Sequence, residues 1–124
     1  MPIHYQSLVP MIHVKDVPAS VAFYERFGFV CRDTWAPEGA ATPTWASLES
    51  GGARLMLVRA DDTPILPDQQ LVMFYLYCDD AAATRAALLE AGVPCGPIER
   101  PGHAPHGEFR VEDPDRLVFR VMQR

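Results

Sequence analysis

One phrase, used twice, constrains this chain more than any other feature. Asp16–Phe29 (DVPASVAFYERFGF) reads as a helix with both stops attached. Asp16 is a good N-cap, and Pro18 falls in the first turn, where a missing N–H costs little. Gly28 stands at C′, where a left-handed residue ends a helix. Val17, Val21 and Tyr24, with Phe23 and Phe27 beside them, form an apolar stripe at helical spacing. The phrase returns at Asp79-Asp80, continues through a helix-rich Ala81–Ala91 carrying Leu88 and Leu89, and stops at Gly92. Asp16 to Gly28 spans the same distance as Asp80 to Gly92, and each ends in glycine plus an apolar residue.

β-type runs frame both helices. The first half offers Leu8–Val14, Phe29–Trp35, Thr44–Glu49 and Arg54–Arg59, the last two joined by the hairpin signal Ser50-Gly51-Gly52. Pro10 points to a bulge or an edge position, and Pro37–Pro43 is a loop. The second half offers Leu71–Tyr77, a weak run Val93–Ile98 broken by Pro94 and Pro97, then Glu108–Glu112 and Leu117–Met122 around the turn Asp113-Pro114-Asp115-Arg116. Arg100–Gly107 (RPGHAPHG) is a loop, and Ala60–Gln69, in which Asp61 and Asp62 read as a solvated stretch, is a surface linker. Each half therefore reads strand–helix–strand–strand–strand. A repeat of about sixty residues exceeds solenoid periods and indicates two paired modules, neither able to bury a core alone. The expected fold class is α+β: a single domain over 1–124, with module 1 about 5–60, a linker at 61–70 and module 2 about 71–123. Its sheet would carry the helices on the outer face.

Charge and cysteines narrow the function classes. A net charge of −5 and a pI near 5.2 argue against a nucleic-acid surface. No apolar run approaches the roughly 18–20 residues of a membrane span, and MPIHYQSL lacks the basic-then-apolar order of a signal peptide. Cys31, Cys78 and Cys95 are widely spaced and form no CxxC pair. They read as reduced, mostly buried thiols of a cytoplasmic protein.

The phrase D-x-P-x-S-x-x-F-Y-x-x-x-G-F, the W-A-S-L-E-S-G-G hairpin and the closing GEFRVEDPDR–LVFRV resemble the glyoxalase / bleomycin-resistance / extradiol-dioxygenase superfamily, the vicinal oxygen chelate proteins. The likeness runs from about Leu8 to Met122 and lies nearest the bleomycin-resistance branch. One departure is Arg116, where the family usually has glycine after DPD; a side chain there would strain the turn or change its type. The resemblance implies two βαβββ modules curled into a cup around a ligand. It also implies that two chains commonly pair, so that a site draws on both.

The family divides on whether the cup holds a divalent metal. Counted from Asp16, from the hairpin, from Asp79 and from the DPD turn, its ligand positions fall on Val9, Met56, Met73 and Arg120. None has the hard N or O donor such a site requires, and Arg120 is a cation. A one-residue shift brings in Leu8, Pro10, Leu55, Leu57, Val72, Phe74, Phe119 and Val121, which are no better. The expectation is therefore no cofactor, no metal and no catalytic constellation.

Strand parity gives the candidate binding residues. His13, Met56, Met73, Tyr75 and Arg120 would face into the cup. The resemblance implies that Trp45, at the place of an aromatic that starts the matching hairpin in bleomycin-resistance proteins, would line the groove; Trp35 would form a rim, and His103 would sit in a covering loop. Apolar walls with aromatic faces and a few polar points describe a small-molecule pocket. Each residue also has a plainer reading: core packing for Tyr75, a surface position for His103, a strand-bound hydrogen bond for His13, and an internal pair with Glu108 or Glu112 for Arg120. The function expected is a homodimeric, metal-independent binding protein sequestering an antibiotic or metabolite. Two alternatives stay open: a lyase, isomerase or dioxygenase with a displaced metal site using His13, His103 or Glu108, and a structural or regulatory dimer with a filled cup.

Overall fold

A computed structural model of the chain describes residues 2–60 and 72–124. The linker expected at 61–70, and Leu71, lie outside the described residues. Elements run β1 (Met11–Val14), α1 (Val17–Arg26), β2 (Val30–Trp35), β3 (Trp45–Ser50), β4 (Ala53–Arg59), β5 (Phe74–Cys78), α2 (Ala81–Glu90), β6 (Glu108–Glu112) and β7 (Val118–Gln123). The strands form two sheets, in the orders β1-β4-β3-β2 and β5-β7-β6. The first and last strands of each half pair in parallel, β1 with β4 and β5 with β7; the remaining pairs are antiparallel.

The repeat is physical as well as textual. Asp16 and Asp80 cap their helices alike, accepting from Ala19 N at 3.0 Å and Ala83 N at 2.9 Å. Both helices then stop on a left-handed glycine, with φ of 105° at Gly28 and 86° at Gly92. Beyond each, the chain returns through one more backbone bond of 2.9 Å, Phe29 N to Tyr24 O and Val93 N to Leu88 O. The register repeats too, since Met11 faces Met56 as Tyr75 faces Arg120.

Several boundaries differ from expectation. β1 begins at Met11 and not Leu8, because Pro10 has no N–H to give a ladder; its carbonyl still accepts from Met56 N at 2.8 Å. Val93–Ile98 forms no named strand. Pro94 and Pro97 remove donors there; the segment bonds to β6 from Gly96 N to Arg110 O, and Glu99 just beyond it forms an isolated bridge with Glu108. The mixed strands and two helices make the α+β architecture expected. The three thiols are half-buried and not mostly buried; burial raises the Cys31 and Cys95 pKa values.

Alternation along the strands separates a core face from an open face. Val14, Ala46, Leu48, Leu55 and Leu57 of the first sheet are buried with Phe109, Val111, Phe119 and Val121 of the second. α1 lies on β2, β3 and β4, and α2 on β6 and β7. Phe119 of β7 meets Tyr24 and Phe27 of α1 edge-on, at 5.9 and 5.2 Å between ring centres.

The halves are pinned by one buried polar joint. The Tyr24 hydroxyl donates to Asp113 Oδ2 at 2.7 Å, and Asp113 Oδ1 accepts from Asp115 N and Leu117 N at 2.9 and 2.8 Å. Asp115 in turn accepts from Lys15 N at 3.1 Å. The DPD turn is thus held in place by the first half. At its end Arg116 has φ of 69°, the only non-glycine residue with positive φ among those described. The family's usual glycine would adopt that shape without the Cβ clash.

Two outcomes follow for stability. Tyr24→Phe leaves Asp113 Oδ2 buried without a donor and lowers unfolding free energy by about 1.5–3 kcal/mol, read by denaturant titration. Desolvation, then the charge of Asp113, holds the Tyr24 phenol far above its ordinary range. A raised folded pKa keeps its stabilisation below the unfolded value, about 10, and loses it as pH rises beyond; Tyr24→Phe removes about 1.4 kcal/mol per pH unit from that alkaline decline. Burial also raises the Asp113 pKa. Arg116→Gly relaxes the turn and raises stability by up to about 1 kcal/mol in the same titration.

Candidate functional site

On the first sheet, register gathers the expected residues into a row. His13 faces Val58, Val58 faces Trp45, and Trp45 faces Trp35. All four lie opposite the buried face, so the row is open to solvent: Trp45 is half-buried, while His13 and Trp35 are exposed, Trp35 at 59%. Beside it runs a second row of Met11, Met56, Ser47 and Asp33. A groove of about 540 Å³ lies along this face, lined by Asp33, Thr34, Trp35, Thr44, Trp45 and Val58. A bulge between Cys31 and Asp33 shifts β2 so that Trp35 comes directly opposite Trp45.

The corresponding row of the second sheet is Tyr77, Met122, Glu108 and Glu99. Carboxylates stand where the first sheet carries tryptophans. Next to it Tyr75 faces Arg120, which faces Arg110. Glu108 is only 2% exposed although it lies on the open face. Its carboxylate accepts from the Tyr75 hydroxyl at 3.2 Å, and His103 Nε2 stands 2.8 Å from Oε1. Arg120 Nε is 3.7 Å from Glu108, and its NH1 is 3.7 Å from Glu99. Desolvation, then Glu108, raises the Tyr75 pKa, so the phenol keeps its proton and donates.

The eight expected site residues therefore fall largely into two groups. His13, Trp35, Trp45 and Met56 share the open face of the first sheet; Tyr75, His103 and Arg120 share a polar cluster on the second. Met73 stands apart, exposed just ahead of β5. For Arg120 the plainer expectation, a pair with Glu108, describes the contact seen. His103 is exposed, yet tied to Glu108 and 3.0 Å from Tyr75 Oη. Glu99 was missed as a site residue. The repeat carried the signal, since Glu99 holds in the second half the place of Trp35.

The donor chemistry does not fit a metal of the kind the superfamily's enzymes use. Met56 and Arg120 occupy matching open-face positions, and Val9 and Met73 precede their strands. These residues supply thioethers, an aliphatic group and a guanidinium, none of them a hard donor. Among the described residues no three or more His, Cys, Asp or Glu side chains gather to hold an ion. No helix among the described residues is long and apolar enough to cross a membrane.

Solved structures share this architecture. The bleomycin resistance determinant encoded on transposon Tn5 superposes with a TM-score of 0.75 at 21% identity, over 97% of this chain and 98% of the other. The bleomycin-binding protein of bleomycin-producing Streptomyces verticillus, complexed with copper(II)-bleomycin, gives 0.72 at 20% identity over 99% of both chains. TnmS3, an antibiotic binding protein from Streptomyces sp. CB03234, gives 0.69 at 27% identity over 98% of both. No curated protein matches the chain by sequence. The family model for the Glyoxalase/Bleomycin resistance protein/Dioxygenase superfamily matches residues 4–121, nearly the whole repeat and both of its sheets, and the chain belongs to that superfamily.

Proposed function

We propose that this chain is a metal-independent small-molecule binding protein of the bleomycin-resistance type. It sequesters an antibiotic or metabolite in a groove of a homodimer and breaks no bond. The observation that carries the reading is the cross-strand pair Trp35 and Trp45 beside a groove of about 540 Å³. Two indole faces on a solvent-open sheet offer a stacking surface for a planar solute. The bleomycin-binding and antibiotic-binding proteins that share the fold support the same assignment.

Pairing of two chains is supported by what a single copy leaves bare. Ile3, Tyr5 and Leu8 ahead of β1, Met11 on it, and Val72, Met73 and Tyr77 around β5 are all exposed. Apolar surface of this extent is usually covered by a partner. Among the described residues β1 and β5 also stand at sheet edges, each paired on one side. A second copy would cover these groups and deepen the groove with its own open sheet.

The two tryptophans are the only ones in the chain, so indole fluorescence reports on this face alone. Titration with planar aromatic solutes quenches it, and Trp45→Ala weakens the best binder by roughly tenfold or more. Quenching with unchanged affinity in Trp45→Ala removes the groove from the reading. Chelator treatment leaves binding unaltered, and elemental analysis of protein purified without chelator finds no stoichiometric divalent ion. One ion per chain, with binding lost on its removal, favours the enzyme alternative. Sedimentation places the protein at twice its 13.8 kDa chain mass.

A further inference from the structure

Glu108 is buried where the fold would leave it open. It sits on the solvent-facing side of β6, opposite Phe109 and Val111. Its cover is the 100–107 loop, through His103, together with Tyr75 and Arg120. The loop is two successive turns, Ala104 N to Pro101 O and Gly107 N to Ala104 O, with Ala104 buried at the centre. Gly107 permits this path: its φ is 110°, and a Cβ there would lie 2.9 Å from Ile98 Cγ2. The contact between loop and carboxylate is one imidazole whose side chain is 60% exposed.

The chemistry of that contact is specific. His103 Nε2 lies 2.8 Å from Glu108 Oε1 and 3.0 Å from Tyr75 Oη. A single Nε2–H serves one acceptor, and the protonated Tyr75 phenol already donates to Oε2 at 3.2 Å. The consistent arrangement is Nε2–H to Oε1 and Tyr75 O–H to Oε2. Around it Glu99 and Glu108 bring two carboxylates to the one guanidinium of Arg120, while Arg110 and Glu112 pair with each other at 2.6 Å. Two carboxylates thus meet one guanidinium, and the other cation placed nearby, Arg124, lies over the Tyr77 ring, 4.6 Å from its centre. The Tyr75 and Tyr77 ring centres are 6.4 Å apart.

We propose that Glu108 is a latched anchor for a cationic group on a planar ligand, an aromatic amidine or amine. The ligand N–H takes the place of His103 Nε2 on Oε1, the 100–107 loop moves aside, and the ring lies against Tyr75. His103 thus competes with the ligand for one oxygen. This rests on the binding reading above and names the chemistry that the site selects.

Benzamidine and 1-naphthoate, titrated at one pH against the wild-type dimer, His103→Ala and Glu108→Gln, separate the two levels. Benzamidine binds the wild type, binds His103→Ala more tightly, and loses roughly tenfold or more in Glu108→Gln. Hydrogen exchange at residues 102–107 speeds up in His103→Ala, an exposed substitution that leaves the core intact, and on addition of benzamidine to the wild type. Equal benzamidine affinity in wild type and Glu108→Gln overturns the anchor, and unchanged 102–107 exchange in His103→Ala overturns the latch. Binding of naphthoate without benzamidine overturns this inference and leaves the binding reading standing. Failure of both probes counts against both.

Discussion

The two halves share one apolar core, and the Tyr24–Asp113 hydrogen bond is the buried polar joint between them. Its donor comes from the first helix and its acceptor from the last turn, eighty-nine residues apart. Burial makes the bond consequential, because either group alone in that position would be a desolvated polar atom. Asp113 spends its second oxygen on two backbone amides of its own turn. The turn's shape and the joint between the halves are therefore set by one carboxylate.

That joint has consequences for the open faces. Phe119 packs on Tyr24 and Phe27, which fixes β7 against α1, and Arg120 follows Phe119 on the opposite side of the same strand. Alternation then sends Arg120 to the open face with no further choice. The same logic on β6 buries Phe109 and Val111 and sends Glu108 outward. Core packing and site composition are two sides of the same strands. Both inward sides are apolar, while the outward sides differ in kind: tryptophans in one sheet, carboxylates in the matching positions of the other.

Much of this was legible without coordinates. Helix caps and stops are local chemistry, and Asp16, Gly28, Asp80 and Gly92 behave as their residue types dictate. Strand parity placed Met56, Tyr75 and Arg120 on the open side, because the period of two does not depend on tertiary context. Less legible was Val93–Ile98, where two prolines left only a partial ladder to β6. Glu108 was harder still. Its residue type suggests a solvated strand position, and its burial comes from His103 and Tyr75, which a linear reading cannot bring to it.

The sequence alone determined the repeat, the family and the unsuitability of Val9, Met56, Met73 and Arg120 as metal donors, since each depends on residue type at a position counted along the chain. The tertiary structure alone decided which side chains meet. A bulge in β2 set Trp35 against Trp45, a buried tyrosine joined the two ends of the chain, and a loop histidine came to rest on a carboxylate. Those contacts depend on register and on packing between distant segments, and neither is written in any one stretch of residues.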